Sequence, residues 1–219
     1  MKIKGKQYTD ISKINLKLID KKIAKKMIVK NHYSHKWTSC RYALGIFYDE
    51  TIIGCLIYGF PVGRQVVKSI SSMLNNKKVL ELTRLWIKDG YGCNIESYAI
   101  GQSFKWLREN DRNIQVLISY ADPSINHLGK IYQATNWLYQ GNKTMLIKGY
   151  LHYINKEWLH PRTCVAKYGT IKKSVLKKID PKYKRKFKPN KHRYIYILNK
   201  SIKKDILKTL KHPILRYPK

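Results

Sequence analysis

Asp122 directly follows an apolar run, Val116 to Tyr120, and stands where a carboxylate can do chemistry. We predict that this run is a strand, which places Asp122 at the carboxyl end of a sheet, where ligand crevices form in α/β folds. A carboxylate there can serve as a general base. The alternative is structural, because an aspartate before Pro123 and Ser124 can simply cap the next helix. Position alone leaves both roles open.

Tyr132 lies ten residues further along, in the segment Leu128 to Asn136, for which we predict a short helix. A tyrosine in a buried crevice can donate a proton to a leaving group. The alternative is packing, since Tyr132 is one of 17 tyrosines and a buried tyrosine usually finds a hydrogen-bond partner.

A third candidate is the cluster of His32, Tyr33 and His35. Histidines in an H-x-x-H spacing can contribute metal ligands or hydrogen bonds to a base. The sequence offers no identifiable carboxylate or cysteine partner for them, so we predict no metal site. A metal such as iron held by these three residues stays the alternative.

The loop Asp89 to Asn94 could bind phosphate, because it joins a predicted strand, Val79 to Ile87, to a predicted helix, Ile95 to Leu107. Free backbone N–H groups and the positive end of the helix dipole attract anions at such a place. The loop matches neither the phosphate-loop nor the dinucleotide glycine pattern, so alone it is a weak signal. The residues that could contact a phosphate are Gly90, Gly92, Asn94 and Ser97.

The elements that must position these residues form a mixed sheet with helices. Apolar spacing over Leu16 to Val29 predicts an amphipathic helix ending near Asn31. The segment Arg41 to Gly59 is typical of a β-hairpin, and we predict further strands at Ile147 to Ile154 and Arg193 to Leu198. Strands that alternate with helices indicate an α/β (α+β) fold.

The charge of the chain points to nucleic acid. Forty-five Lys and Arg against 13 Asp and Glu give a formal net charge of +32. Such an excess repels itself in the folded state and is typical of proteins that bind a polyanion such as DNA. Simple solubility, or a compositional bias toward lysine, is the alternative.

Much of this charge lies at the C-terminus, where the last 49 residues contain 18 Lys and Arg and the acids Asp180 and Asp205. We therefore divide the chain into a catalytic domain, 1–170, and a basic extension, 171–219, that packs on the domain and contacts DNA. The residues expected to bind DNA phosphates are Lys182, Lys184, Arg185, Lys186, Lys188, Lys191 and Arg193.

The cysteines and the hydropathy exclude two classes of protein. The four cysteines are scattered without a C-x-x-C spacing, which predicts reduced, buried thiols and no zinc knuckle. No run approaches the roughly 20 apolar residues that span a bilayer, and the N-terminus lacks the apolar core of a secretory signal. We expect a cytoplasmic protein.

Five blocks of the sequence share their order and spacing with one known family. They are Asn31–His35, Leu80–Trp86, Glu96–Ser97, Ser119–Asp122 and His127–Asn136. Over roughly residues 20 to 170 the chain resembles the Mom family of phage DNA-modification proteins. That family in turn resembles divergent members of the GCN5-related N-acyltransferase (GNAT) superfamily.

The resemblance implies a GNAT-like sheet and an acyl-CoA donor such as acetyl-CoA, with its pyrophosphate on the loop at Asp89–Ser97. It implies transfer of a carbamoylmethyl (acetamido) group to the N6 amine of adenine in double-stranded DNA, which protects that DNA from restriction in the cytoplasm of the host cell. The loop departs from the Q/R-x-x-G-x-G/A pattern of acetyltransferases. The residues that the resemblance marks as functional are His32, Tyr33, Arg84, Ser97, Asp122 and Tyr132.

These residues suggest a division of labour. Asp122 would accept the amine proton, Tyr132 would protonate the departing thiolate, and Arg84 would orient an anionic group or stabilise an oxyanion. A base flipped out of the duplex needs aromatic neighbours; the candidates are Tyr33, Trp37 and Tyr120.

Two other classes of function fit the same residues. An N-acyltransferase that acts on a protein, a tRNA or a small amine would share the fold and the site. In a nucleic-acid-binding protein without catalytic activity, Asp122 and Tyr132 would be structural.

Overall fold

The computed structural model describes residues 2–3, 6–7, 9–142 and 149–219. Its strands are β1 (Lys2–Ile3), β2 (Lys6–Gln7), β3 (Ile14–Leu18), β4 (Tyr42–Tyr48), β5 (Thr51–Gly59), β6 (Val79–Ile87), β7 (Val116–Ala121), β8 (Leu138–Tyr139), β9 (Gly149–Ile154), β10 (Glu157–Leu159), β11 (Lys184–Lys188) and β12 (His192–Ile197). Its α-helices are α1 (Lys21–Asn31), α2 (Arg64–Lys68), α3 (Ile95–Asn110), α4 (Lys130–Ala134), α5 (Pro161–Tyr168), α6 (Lys173–Ile179) and α7 (Lys203–Lys208). The main sheet has seven strands in the order β3-β4-β5-β6-β7-β12-β8. This confirms a mixed sheet flanked by helices.

The first helix begins later than its apolar spacing predicts. Leu16 and Leu18 belong to β3, which pairs antiparallel with β4, so the predicted start of the helix at Leu16 is wrong. Asp20 accepts a hydrogen bond from the Lys22 N–H and caps α1. An aspartate at this position satisfies a backbone donor that the first helical turn leaves free, which sets the boundary. The predicted end at Asn31 is confirmed.

The other predicted elements are present with small shifts. β4 and β5 form the predicted hairpin, with Asp49 in the turn at φ 48. β6, α3, β7 and α4 occur where apolar patterning places them. The predicted strand from Ile147 corresponds to β9, and its first two residues, 147–148, lie outside the described residues.

A gap opens in the middle of the main sheet between its two parallel strands. β6 and β7 pair only from Val79↔Val116 to Glu81↔Ile118. Beyond that point β6 continues beside β5 as far as Ile87, while β7 continues beside β12. The strands therefore part, and their carboxyl-terminal halves line the two sides of a wedge.

The C-terminal part of the chain belongs to the same sheet. β12 pairs antiparallel with β7 over six residue pairs, from His192↔Ala121 to Ile197↔Val116, and with β8 on its other side. Its side chains Tyr194 and Ile195 lie in the two cores on opposite faces of the sheet. The residues after 170 thus contribute a strand between β7 and β8.

A second, smaller sheet has the order β10-β9-β11. A two-residue turn, Asn155 and Lys156, joins β9 to β10, and both residues have positive φ, as in the tight turns that favour hairpins. Helices α5 and α6 cover one end of this sheet through a small core that contains Ile154, Leu159 and Leu176.

Candidate active site

The wedge between β6 and β7 contains a cavity of about 460 Å³. One wall is the edge of β6 that β7 leaves unpaired, and the opposite wall is the segment that leads into α4. Two candidate residues, His32 and Tyr33, close one side. The cavity is lined by His32, Tyr33, Leu82–Ile87, Glu96, Tyr120, Ala121 and Asn126–Tyr132.

Tyr132 lies at the bottom of the cavity with its hydroxyl group buried. Its oxygen is 2.8 Å from the Ser119 hydroxyl, which is also 2.8 Å from the Leu82 carbonyl oxygen. Because a carbonyl only accepts, Ser119 donates to Leu82, and the Tyr132 hydroxyl donates to Ser119. Burial raises the pKa of Tyr132 to about 12, so this residue holds a proton at neutral pH.

Asp122 has the capping role that its position before Pro123 and Ser124 allows, and it also forms two ion pairs. Its Oδ1 accepts hydrogen bonds from the backbone N–H and the hydroxyl of Ser124, which caps a 3-10 turn at Pro123–Ile125. Its Oδ2 lies 3.3 Å from the Lys188 Nζ and 3.7 Å from the Lys191 Nζ. Burial alone raises the pKa of Asp122, but the Ser124 hydrogen bonds and the two lysine charges outweigh it and hold that pKa below its usual range.

Lys188 and Lys191 therefore stand beside a candidate catalytic carboxylate, although the sequence predicts them as DNA contacts. Both belong to the segment around the β11–β12 connection, which the fold brings against the end of β7. Burial lowers the pKa of Lys191, and Asp122 opposes this shift. Neither lysine lines the cavity, but Lys191 is close enough to Arg84, which does, for the charge of Arg84 to lower the pKa of Lys191 as well.

The His32–Tyr33 pair and Arg84 form the adjoining wall. The rings of His32 and Tyr33 are 4.2 Å apart, and Tyr33 meets His127 edge to face at 5.6 Å. Burial, reinforced by the charge of Arg84, lowers the pKa of His32 to about 4. His32 is consequently neutral at physiological pH.

Arg84 is held from below by backbone. It donates to the Lys36 carbonyl at 3.2 Å and to the Thr83 carbonyl at 2.6 Å. A guanidinium has five N–H donors, so these two bonds orient the group and leave donors to meet an anion.

The histidine cluster does not converge on one point. His32 Nδ1 lies 2.8 Å from the Ser34 hydroxyl, and His35 Nδ1 lies 3.1 Å from the Val29 carbonyl oxygen. Among the described residues, no three His, Cys, Asp or Glu side chains come together as metal ligands.

Glu81, which the sequence analysis missed, lies beside the site without lining the cavity. It is the last residue of β6 that pairs with β7. Burial raises the pKa of Glu81 to about 7, against the opposing charges of Lys191 and Arg84. The charge of Glu81 in turn raises the pKa values of Tyr120 and Tyr132 as a secondary cause after burial. The available signal was a lone acid inside the otherwise apolar strand Val79–Leu82.

The predicted phosphate loop has the expected backbone, but its side chains are used otherwise. Gly90 and Gly92 have φ of 95 and 106, a region that glycine favours. Asn94 Oδ1 accepts from the Thr9 N–H at 2.8 Å. Ser97 donates to the Asn94 carbonyl at 3.1 Å and, with Asn94, lines a separate open depression on the outer side of α3.

Of the α3 residues at this end, Glu96 lines the main cavity. The first backbone hydrogen bond of α3 is Tyr98 N–H to the Asn94 carbonyl, and the Asn94 side chain does not cap the helix. The N–H groups of residues 95–97 therefore have no acceptor within the helix. This end of α3 can still accept an anion through its backbone.

The other predicted DNA contacts differ in exposure. Lys182, Lys184, Arg185 and Lys186 are exposed on and next to β11. Arg193 is only 2% exposed, and its Nη1 donates to the Ser69 hydroxyl at 2.8 Å. The prediction that Arg193 contacts DNA is wrong, because β12 runs between two strands and turns this side chain toward α2.

The cysteines are free, and the prediction that all four are buried is wrong for two of them. Cys55 and Cys164 are buried, Cys40 is half-buried and Cys93 is exposed in the loop before α3. Among the helices described, none is long and apolar enough to cross a membrane.

The parted parallel strands, with α3 following β6, define a GNAT-like fold. A solved spermidine N-acetyltransferase from Vibrio cholerae has the same fold, with a TM-score of 0.50, 8% identity and coverage of 89% of this chain and 99% of that chain. The model of the Mom protein family matches residues 13–219, and the chain belongs to that family. The methylcarbamoylase Mom of Escherichia phage Mu is 27% identical over 198 residues, which are 90% of this chain and 80% of the relative. The resemblance found in the sequence is confirmed.

Proposed function

We propose that this transferase modifies DNA by transferring the acyl group of a thioester donor to the N6 amine of adenine, which protects the DNA from restriction. The observation that carries the proposal is the wedge itself: a buried proton donor, Tyr132, and Arg84 line it, and Lys188 and Lys191 lie next to it as the partners of Asp122. The relative from phage Mu is named a methylcarbamoylase. These three cationic side chains suit a polyanionic acceptor better than a cationic amine.

The donor in this proposal is an acyl-CoA such as acetyl-CoA. The free N–H groups at the start of α3 suit a pyrophosphate, and Gly90 and Gly92 allow its close approach. Glu96 places a negative charge at the same end, which weakens binding of a doubly charged group. The thioester of such a donor supplies the activated carbon at the bottom of the wedge.

The acceptor in this proposal is double-stranded DNA with the target base turned out of the helix. The N6 amine of adenine is engaged in pairing within a duplex, so an enzyme must extrude the base or use open DNA. Tyr33 is 51% exposed and lines the cavity. It is better placed to stack on a base than Tyr120, which is half-buried in the wall, or Trp37, which packs on the core beneath α1.

Two carboxylates could take the amine proton, and their electrostatics separate them. Asp122 is bound to two lysines, which makes it a weak base. Glu81 has a pKa of about 7 because it is buried, and a base works best near the ambient pH. We assign proton acceptance to Glu81 and the placement of Lys188 and Lys191 to Asp122.

The remaining groups complete the transfer. A bond forms between N6 and the carbonyl carbon of the thioester while the bond from that carbon to sulfur breaks, which gives an N6-acyl adenine and the free thiol of the donor. Glu81 takes the proton from the amine, and Tyr132 gives its proton to the departing thiolate. Arg84, fixed by two carbonyl groups, stabilises negative charge on the oxygen of the transferred group.

The test is the nucleoside composition of plasmid DNA from cells that express the protein, compared with DNA from cells that express Glu81→Gln, which lacks the assigned base. Mass spectrometry should show a new deoxyadenosine species only with the intact protein. Unmodified DNA in both samples, together with an acylated protein or tRNA, would replace the proposal with a different acceptor.

A further inference from the structure

The small sheet has one face that is not covered by α5 and α6, which we call the outer face. Side chains alternate along a strand, so Ile154 and Leu159, which lie in the core beneath the helices, have neighbours that point the other way. The strand register places these neighbours on one surface. The outer face consists of Leu151, Tyr153, Trp158, Lys184, Lys186 and Lys188.

Two aromatic rings lie side by side on this face. Trp158 pairs with Tyr153 across the strands, and their ring centroids are 5.3 Å apart. Trp158 is 42% exposed although it is the largest side chain of the sheet. Burial in the protein does not explain an aromatic pair in this position.

Lysines accompany the rings in a regular row. Lys184, Lys186 and Lys188 occupy alternate positions of β11 on the same face. The Lys186 Nζ lies 4.5 Å from the centre of the Trp158 ring. Rings that expose a flat surface beside cations are the combination with which proteins hold single-stranded nucleic acid, because bases stack on the rings and phosphates meet the lysines.

The outer face leads to the candidate active site. Lys188 ends the row, and its Nζ is 3.3 Å from Asp122 Oδ2. From Lys184 to Lys188 the strand spans about 13 Å. A strand of DNA on this face would therefore lead to Lys188 and Asp122, next to the cavity.

We propose that the outer face binds an unpaired stretch of DNA next to the base that is modified. This inference rests on the proposed function for its location, but the binding itself needs neither donor nor catalysis. Only unpaired bases offer their flat faces to Trp158 and Tyr153, since in a duplex those faces are stacked on one another. The duplex near the target base is thus held open on this side.

The test compares binding of a labelled single-stranded oligonucleotide and of the duplex with the same sequence, by fluorescence anisotropy on the full-length protein. Trp158→Leu removes the ring and keeps an apolar side chain. Phe187→Leu is the matched control, because Phe187 lies on the same sheet, is 55% exposed and points to the opposite face.

We expect Trp158→Leu to weaken single-strand binding about 10-fold and to leave duplex binding unchanged, while Phe187→Leu changes neither. Tyr153→Leu should act in the same direction, which guards against a folding defect peculiar to one variant. Lys184→Gln should reduce the salt dependence of single-strand binding by about 0.7 units.

Equal losses on single strand and duplex, or equal losses in Trp158→Leu and Phe187→Leu, would overturn the proposal. Unmodified DNA in the expressing cells would overturn the proposed function but not this surface, provided that the single-strand preference depends on Trp158. If the DNA is modified but the Trp158→Leu protein binds single strands normally, the proposed function stands and the proposal for the outer face is overturned.

Discussion

The Lys188 Nζ lies 3.3 Å from Asp122 Oδ2, and the Lys191 Nζ lies 3.7 Å from the same oxygen. The carboxylate belongs to the end of β7, and the lysines belong to a segment more than 60 residues later. Asp122 is thereby paired with Lys188 and Lys191, two residues that the sequence predicts as phosphate contacts. The proposed DNA contacts and the candidate catalytic carboxylate therefore belong to one ion-pair cluster.

Replacing Lys188 should therefore affect more than DNA affinity. In Lys188→Met, the salt dependence of duplex binding should fall by about one unit, and the modification rate should fall as well, because Asp122 loses its nearer partner. Lys182→Met, a control at an exposed position just before the same strand, should reduce the salt dependence alone. Salt titrations and initial rates check both, and equal rates in the two variants would contradict the link.

The role of Glu81 predicts a pH dependence. Its folded pKa of about 7 lies above the ordinary value of 4.5, so the carboxyl is protonated below neutrality and becomes a base above it. The modification rate should rise through about pH 7 in the wild type. Glu81→Gln should lose this rise and about 10²-fold or more of the rate.

Asp122→Asn is the comparison, because its pKa is held low and its titration lies outside this range. The Asn variant should be slower but keep the rise near pH 7. A pH profile that disappears in Asp122→Asn and persists in Glu81→Gln would assign the base to Asp122.

The raised pKa of Glu81 also predicts an effect on stability. A carboxyl whose folded pKa exceeds its unfolded pKa contributes stability below the unfolded value, and this is lost as the pH rises through the folded value. The free energy of unfolding should thus decline between about pH 4.5 and pH 7 less steeply in Glu81→Gln than in the wild type. Denaturant titrations at several pH values measure the difference, and identical slopes would mean that Glu81 is not buried as described.

Tyr132 has a natural control in Tyr58. Both hydroxyl groups are buried and bonded to a serine, Tyr132 to Ser119 at 2.8 Å and Tyr58 to Ser103 at 2.7 Å. Each Tyr→Phe change should cost about 1 kcal/mol of stability, but only Tyr132→Phe should slow the modification, by about 10²-fold. Similar rates for the two variants would remove Tyr132 from the proton transfer.

Gly129 should tolerate no side chain. It has φ 77, and a Cβ there would come within 2.5 Å of the Tyr194 ring. Gly129→Ala should destabilise the protein by about 2 kcal/mol. Gly101 lies in the middle of α3 with nothing near its Cβ position, so Gly101→Ala should instead stabilise the protein by about 1 kcal/mol. Thermal denaturation should therefore show a lower melting temperature for Gly129→Ala and a higher one for Gly101→Ala.

The residues with local signals were predictable. Asp122 follows an apolar strand and Tyr132 lies in a short helix, and each pattern is contained within a few neighbouring residues. The predicted helix start at Leu16 was wrong, because a five-residue strand with Leu16 and Leu18, followed by a helix, has an apolar spacing that resembles one longer helix. The Asp20 cap was the signal that separates them.

The parts that escaped prediction depend on distant pairing. The segment around Tyr194 carries no sequence signal that it will lie between β7 and β8. This pairing buries Arg193 and brings Lys191 to Asp122. Glu81 was missed for the same reason, because an acid in an apolar strand gains its raised pKa only where β6 and β7 part.

The most direct test of the central claim uses purified protein, an acyl-CoA donor and a DNA duplex. One strand of this duplex contains adenine, and the other strand contains purine, which lacks the exocyclic amine, in place of every adenine. Intact-mass measurement of the two strands should show a mass gain only on the strand that contains adenine, and Tyr132→Phe should slow that gain. A gain on the strand without the amine, or no gain on either strand while the donor acylates protein, would contradict transfer to adenine N6.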